Sequence, residues 1–139
     1  MYHWFNNSKN EVQKHILEYV KVINSDGKIH NQEMEHLIQL AEKNGMRGSE
    51  VKTLISGIDQ SKIKAPQNDD ERFEQLFYLV NLVLTDSMLN AEEFDFCREV
   101  GEKMGYPHTK AGLIVKEMHN GIKRELEEKE IKAKVQKLL

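Results

Sequence analysis

Acidic side chains recur with one spacing in two turn-like segments of the chain. Asp26 lies seven residues before Glu33, and Asp86 lies seven residues before Glu93. Carboxylate oxygens are the ligands that Ca²⁺, Mg²⁺ and Mn²⁺ prefer. If the two pairs converge in the fold, these four acids form one divalent-cation site, and such a cation is the only cofactor that the sequence suggests.

A structural role for the same acids is the alternative. Glu93 follows Asn90 by three residues, which is the spacing of a capping box. Glu33 stands in the same relation to His30, a weaker cap, and aspartates in turns accept backbone amide hydrogens. Cation ligands and helix caps therefore both remain open.

A helix–loop–helix calcium site is excluded by its first ligand position. The order of acid, glycine, apolar residue and glutamate in Asp26–Glu33 resembles the later part of that loop. The first ligand would fall on Val22, and on Leu82 in the second segment. Neither side chain can bind a cation.

The sequence contains no assembled catalytic constellation. Nucleophile-elbow, phosphate-binding and zinc-protease motifs are absent. Cys97 occupies an inward helical position, where a small core side chain is expected. His15 shares a helical face with Glu11 and Glu18, but no recurring spacing supports zinc there. The chain is predicted not to be an enzyme, and a metal-dependent hydrolase is the most distant alternative.

Composition and charge indicate a cytoplasmic protein that does not bind nucleic acid. The 139 residues carry a net charge of −3, whereas a nucleic-acid-binding domain usually shows a basic excess. The single cysteine rules out an internal disulfide and favours a reducing compartment. The opening residues lack a signal-peptide pattern, and the longest apolar run, 76–84, is too short to span a bilayer.

Apolar residues at intervals of three and four predict helices through most of the chain. Ser8, Ser49, and Asp69 or Asp70 are expected to cap the first, third and fourth helices. The fourth is the most apolar and is predicted to lie at the centre of the core. A second helix is predicted from about Asn31 to Asn44-Gly45, and the third closes at Gly57. A fifth helix is predicted over Ala91–Met104 with Phe94 inward. The remainder is predicted to be helical from about Thr109, with Gly121 as a kink or break.

An internal repeat organises these helices. We call the shift that carries Asp26 onto Asp86 the repeat offset. This shift aligns Asp26–Glu33 with Asp86–Glu93, and Glu42-Lys43 with Glu102-Lys103, without a gap. Repeated units of this size bury their apolar faces against one another. The prediction is an all-α, single-domain bundle of about six or seven helices with two pseudo-symmetric repeats. Its expected divisions are repeat one at about 11–57, a connector at 58–70, repeat two at about 71–120 and a helical tail at 121–139.

The repeated segment resembles the tellurite-resistance TerB-like family. The residues that carry the resemblance are Ser25–Ile29, Glu33 and the helix that ends in Glu42–Met46. Over about 11–120, the resemblance implies an all-α bundle of about seven helices, metal binding by acidic residues and a link to membrane-associated stress-response complexes. Ser25 stands where the family has alanine, and Ser87 replaces the glycine in the second copy.

Two terminal segments suggest contacts with other proteins. Tyr2, His3, Trp4 and Phe5 form an aromatic cluster that packs on the bundle or docks a partner or a membrane surface. The C-terminal helix carries a stripe suited to self-association, made of Leu126, Ile131, Val135, Leu138 and Leu139. The predicted function is a binding or adaptor module in which the acidic turns bind a divalent cation. The alternative is a purely structural protein-interaction domain.

Overall fold

Seven α-helices make up the regular structure of the described residues, which confirms the all-α prediction. The computed structural model describes residues 9–25, 31–57, 66–83 and 90–139. The helices are α1 (Lys9–Ile23), α2 (Asn31–Lys43), α3 (Gly48–Ser56), α4 (Asp69–Val83), α5 (Ala91–Met104), α6 (His108–Lys123) and α7 (Glu128–Leu138). Ser8 and the aromatic cluster at 2–5 lie outside the described residues. None of the described helices is long and apolar enough to cross a membrane.

The first six helices begin at positions that follow the repeat offset. The paired first residues are Lys9 and Asp69 for α1 and α4, Asn31 and Ala91 for α2 and α5, and Gly48 and His108 for α3 and α6. α1 and α4 also have the same length of 15 residues. α7 follows these two sets of three helices and has no counterpart among them.

The ends of α2 and α5 have the same backbone conformation. Gly45 and Gly105 have φ angles of 92° and 115°, in the left-handed region that glycine adopts without a steric cost. The next residues, Met46 and Tyr106, each donate a backbone hydrogen bond back into the last turn of the preceding helix. Glycine C-caps of this kind satisfy terminal carbonyl groups.

α4 is the most buried helix, as predicted. It packs against α1, α5 and α6. Tyr19 on α1 is fully buried, and its hydroxyl donates to the Gln75 carbonyl of α4 over 3.0 Å. The buried residues of α4 are Phe73, Leu76, Phe77, Tyr78, Leu79, Val80, Leu82 and Val83.

Two predicted helix caps are wrong by one or two residues. α4 is capped by Asn68, whose Oδ1 accepts the Glu71 amide over 2.9 Å, so Asp69 and Asp70 lie in the first turn. α3 begins at Gly48, which places Ser49 inside the helix. A cap must precede the first helical residue, and acidic residues one turn later are favoured by the helix dipole instead.

The predicted break at Gly121 is also wrong. α6 continues through Gly121 to Lys123, and the chain turns at 124–127, where Glu125 has a φ of 56°. Gly121 serves the contact with α7, because a Cβ there would lie 2.5 Å from Cγ1 of Ile131. The absence of a side chain lets the two helices approach closely.

Most of the C-terminal apolar stripe packs against the chain's own core. Ile131 and Val135 are buried, and Leu126 and Leu138 are partly buried against the same core. Leu139 is 48% exposed. Self-association through this stripe stays a prediction.

Candidate functional site

Two ion pairs join α2 and α5, which run alongside each other in opposite directions. Oε2 of Glu33, near the start of α2, lies 2.9 Å from Nζ of Lys103, near the end of α5. Nζ of Lys43, at the end of α2, lies 3.8 Å from Oε2 of Glu93, near the start of α5. The repeat offset relates Glu33 to Glu93, and it relates Lys43 to Lys103. The two ion pairs therefore join equivalent positions, with the roles of α2 and α5 exchanged.

An aromatic contact joins the same two helices. The rings of His36 and Phe96 are stacked with centroids 5.6 Å apart, and these two positions are also related by the repeat offset. Phe96 is buried, whereas Phe94 is only partly buried. Sequence reasoning therefore placed Phe94 among the inward residues and left out Phe96, which is buried where α5 contacts α2.

Lys103 also contacts the end of α1. Its ammonium donates to the Ile23 carbonyl over 3.0 Å as well as to Glu33. The side chains of Lys103 and Glu33 are only 20% and 14% exposed. A cation at a helix C-terminus is favoured by the helix dipole and satisfies a terminal carbonyl. Lys103 therefore connects α1, α2 and α5.

An acidic cleft of about 210 Å³ lies between α2 and α5. Four of its lining side chains are carboxylic acids. We call it the acidic cleft, and its lining residues are Gln32, Glu33, His36, Glu92, Asp95, Phe96 and Glu99. Burial raises the pKa of Glu99 above its ordinary value of 4.5, and the neighbouring carboxyl group of Glu33 raises it further.

Glu93 does not line the acidic cleft. It lines a separate cleft of about 60 Å³, and His36 and Phe96 line both clefts. Two of the four predicted cation ligands, Glu33 and Glu93, thus border different cavities. Asp26 and Asp86, the other two, lie outside the described residues.

Glu93 acts as a helix cap, as the alternative interpretation predicted. Its backbone amide donates to Oδ1 of Asn90 over 2.8 Å, and its carboxylate accepts the Asn90 amide over 3.3 Å. These reciprocal bonds form the capping box at the start of α5. Within the described residues, no group of three histidine, cysteine, aspartate or glutamate side chains is arranged to hold a metal ion.

Glu102 and Cys97, which also belong to α5, do not line the acidic cleft. Glu102 pairs with Arg98 over 2.8 Å and contacts His108 of α6. Cys97 is fully buried, and burial raises the pKa of its thiol. A thiol buried in this way is unreactive, which agrees with its predicted core position.

Lys103 is the contact residue that sequence reasoning missed. The sequence holds a signal for it, because the repeat offset places both glutamate and lysine at equivalent positions in the two segments. Opposite charges repeated at the two ends of equivalent helices suit antiparallel pairing. Sequence reasoning instead predicts cation binding or helix capping for the two glutamates and assigns no role to the lysines.

No protein-family model matches the chain, and no curated protein or solved structure matches it. The function proposed for the chain therefore rests on the sequence resemblance, the α2–α5 contacts and the acidic cleft.

Proposed function

We propose that the chain is a non-catalytic binding or adaptor module resembling TerB-like domains, and that it binds a basic protein segment in the acidic cleft. The supporting observation is the grouping of Glu92, Asp95 and Glu99 with Glu33 along one side of the α2–α5 contact. Clustered charges of one sign attract a ligand of the opposite sign and increase its association rate.

The arrangement of cations around the cleft supports this proposal. Lys103 is already paired with Glu33, but it does not line the cleft. Arg98 lies 3.8 Å from both Asp95 and Glu99 and is shared with Glu102 at 2.8 Å. A lysine or arginine of a partner would therefore meet carboxylates that the chain's own cations neutralise incompletely. A stress-response role, which the family resemblance implies, is part of the same proposal, and so is a cytoplasmic location, which the single cysteine suggests.

A fluorescent ten-residue lysine- and arginine-rich peptide tests the proposal. We expect the anisotropy to rise on adding the full chain at low salt, and the affinity to fall as salt screens the charges. The variant Glu92→Gln/Asp95→Asn/Glu99→Gln should weaken binding about tenfold, since each exposed pair contributes about 0.2–1 kcal/mol.

The control removes three acids elsewhere. Glu117→Gln/Glu127→Gln/Glu130→Gln makes the same change in net charge on α6, α7 and the segment between them. Equal weakening by both triple variants would show non-specific attraction to an acidic protein. That outcome would reject the cleft as the binding site and leave the structural-domain alternative.

A divalent cation at the acidic turns is the second candidate. It is favoured by the recurrence of the Asp26–Glu33 spacing at Asp86–Glu93. Thermal unfolding of chelator-treated protein, with and without millimolar Ca²⁺, Mg²⁺ or Mn²⁺, tests it. Binding at about a hundred times the dissociation constant stabilises the fold by about 2.7 kcal/mol.

Variants locate any such cation. If Asp26→Asn/Asp86→Asn abolishes the stabilisation, the predicted turns bind the metal. No shift of the unfolding midpoint with any of the three ions would reject cation binding.

We further propose that α1–α3 and α4–α6 are two copies of one structural unit related by a pseudo-twofold axis. The exchanged ion pairs of Glu33 with Lys103 and of Lys43 with Glu93 support this proposal. Charge reversal tests the relation: Glu33→Lys/Lys103→Glu and Lys43→Glu/Glu93→Lys should each be more stable than their constituent single variants. A double variant less stable than both of its singles would contradict the exchanged pairing.

A further inference from the structure

The turn that joins α6 to α7 has the same backbone geometry as the turns that precede α3 and α6. In each turn, a residue with a left-handed φ donates its amide to the carbonyl three residues earlier, and the next amide donates to the carbonyl five residues before it. The last residue of each turn accepts the first hydrogen bonds of the following helix. The fold therefore uses one helix connection three times, at 45–47, 105–107 and 125–127.

The turn at 125–127 adopts this geometry without the residues that favour it. The left-handed position is glycine in the other two turns, but here it is Glu125, with a φ of 56°. A side chain is disfavoured in the left-handed region because its Cβ crowds the backbone. The turn before α6 also ends on Pro107, which cannot lie inside a helix, whereas this turn ends on Glu127. The local sequence thus does not require a turn here.

The local sequence instead favours a helix through this turn. Residues 123–130 consist entirely of lysine, arginine, glutamate and leucine, which are strong helix formers. Two oppositely charged pairs, each four residues apart, would also lie together on a continuous helix: Arg124 with Glu128, and Glu125 with Lys129. The turn is therefore maintained by the tertiary contacts of α7 and not by local preference.

Two kinds of contact hold α7 on the surface of α4 and α6, which we call the α7 site. Ile131 and Val135 are buried, and Gly121 of α6 leaves room for the Ile131 side chain. Nζ of Lys132 lies 2.5 Å from Oδ1 of Asp70, in the first turn of α4. None of these contacts involves the turn itself, so the α7 helix of a second copy can make them equally well. Identical elements are exchanged between chains in this way at little cost.

We propose that two copies of this chain exchange their α7 helices. The turn at 125–127 straightens, α6 and α7 become one helix, and the α7 of each copy occupies the α7 site of the other. Straightening returns Glu125 to a helical conformation and lets the amides of 127–129 bond the carbonyls of 123–125. The exchange provides the self-association that the C-terminal apolar stripe predicts, and it does not depend on the acidic cleft.

The opposite directions of α6 and α7 allow both α7 sites of a dimer to be filled at once. Gly121 lies against Ile131 near the turn, and Nζ of Lys110 lies 3.2 Å from the Leu139 carbonyl oxygen at the other end. Two straightened helices placed side by side in opposite directions therefore bring each α7 against the other copy's α6. The result is a closed, twofold dimer in which neither site stays empty.

The oligomeric state of the full chain is the first test. The chain is refolded from urea at up to millimolar concentration, and the dimer is measured by size-exclusion chromatography with light scattering. Glu125→Gly/Glu127→Pro gives the turn the glycine and proline found at 105–107. Proline fits the closed turn, because the φ of Glu127 is −69° and that of Pro107 is −58°. Since proline breaks a continuous helix, we expect the dimerisation constant to fall at least about a hundredfold.

Glu125→Gln/Glu127→Gln is the matched control. It removes the same two charges but keeps good helix formers at both positions, so it should dimerise like the wild type. An equal loss of dimer in the two double variants would contradict a role for the backbone of the turn. A wild-type chain that stays monomeric at millimolar concentration would overturn the proposal.

An engineered disulfide distinguishes exchanged dimers from dimers that associate side by side. A Cβ at position 121 would lie 3.5 Å from Cβ of Ile131, and disulfide-bonded cysteines have Cβ atoms about 3.5–4.5 Å apart. Oxidation of Gly121→Cys/Ile131→Cys should therefore link two chains in the dimer fraction and close a bond within one chain in the monomer fraction. Cys97 is fully buried and does not compete. A dimer fraction that runs as single chains on a non-reducing denaturing gel would refute the exchange.

Discussion

The ammonium of Lys103 lies 2.9 Å from Oε2 of Glu33 and 3.0 Å from the Ile23 carbonyl oxygen. One side chain near the end of α5 thus satisfies a carboxylate on α2 and a terminal carbonyl of α1. Residues 24–30 connect those two helices along the chain. Lys103 therefore joins the two helices that flank the first predicted cation-binding segment.

Replacement of Lys103 should destabilise the fold more than replacement of Lys43. Lys103→Met leaves Glu33 without its cation in a mostly buried position, and we expect a loss of about 1–3 kcal/mol. Lys43 is 54% exposed and lies 3.8 Å from Glu93, so Lys43→Met should change stability by less than about 1 kcal/mol. Urea unfolding at pH 7 measures both, and equal losses would contradict the difference in burial.

Two glycines of α6 should respond in opposite directions to alanine. In Gly121→Ala the new Cβ would lie 2.5 Å from Ile131 Cγ1, so α7 must shift and stability should fall by about 1–3 kcal/mol. In Gly112→Ala the nearest atom is Phe94 Cζ at 3.4 Å, and the higher helix propensity of alanine should stabilise by up to about 1 kcal/mol. Thermal unfolding distinguishes them, and a Gly121→Ala variant as stable as the wild type would contradict the close α6–α7 contact.

Acidification should destabilise the α1–α4 contact through His15. Its ring stacks on Tyr78 at 3.5 Å, and Nδ1 has no hydrogen-bond partner among the described residues. Burial lowers the pKa of His15 below 6.5, an effect that Glu11 and Glu18 oppose and Lys14 reinforces. The unfolded state then binds the proton more tightly, so stability is lost as the pH falls from 6.5 through the folded pKa.

NMR titration of the His15 ring tests this directly. We expect a midpoint below 6.5, and a weaker pH dependence of the unfolding free energy in His15→Gln between pH 7 and pH 5.5. Burial also lowers the pKa of His119, so His119→Gln should remove a further part of that dependence. A His15 midpoint at or above 6.5 would show that its carboxylate neighbours outweigh burial.

The two asparagine caps should contribute comparable stability. Asn90 accepts the Glu93 amide at 2.8 Å and Asn68 accepts the Glu71 amide at 2.9 Å. We expect Asn90→Ala and Asn68→Ala each to cost about 1 kcal/mol, because the helix terminus loses an acceptor for one of its free amides. Asn68→Asp should retain most of the stability of its helix. An Asn68→Ala variant without effect would instead support a cap at Asp69 or Asp70.

The local rules of helix formation made much of the fold predictable. The apolar spacing of α4 indicated its central position, and glycine marked the ends of α2 and α5. The capping box of Asn90 and Glu93 was also visible in the sequence. At α3 and α4 the predicted caps differ from the observed helix starts by one or two residues. Several neighbouring polar residues could act as the cap there, and only the backbone geometry selects one.

By itself, the sequence determined that the chain forms amphipathic helices, where most of them end and which acids recur at the repeat offset. These features depend on residues close together along the chain or on a direct comparison of its two halves. The tertiary structure decided which charges meet, because Glu33 and Lys103 are 70 residues apart and their pairing depends on how α2 and α5 pack against each other. It also separated two of the predicted cation ligands, placing Glu33 in one cleft and Glu93 in another, since the direction of each side chain on a packed helix depends on its neighbours.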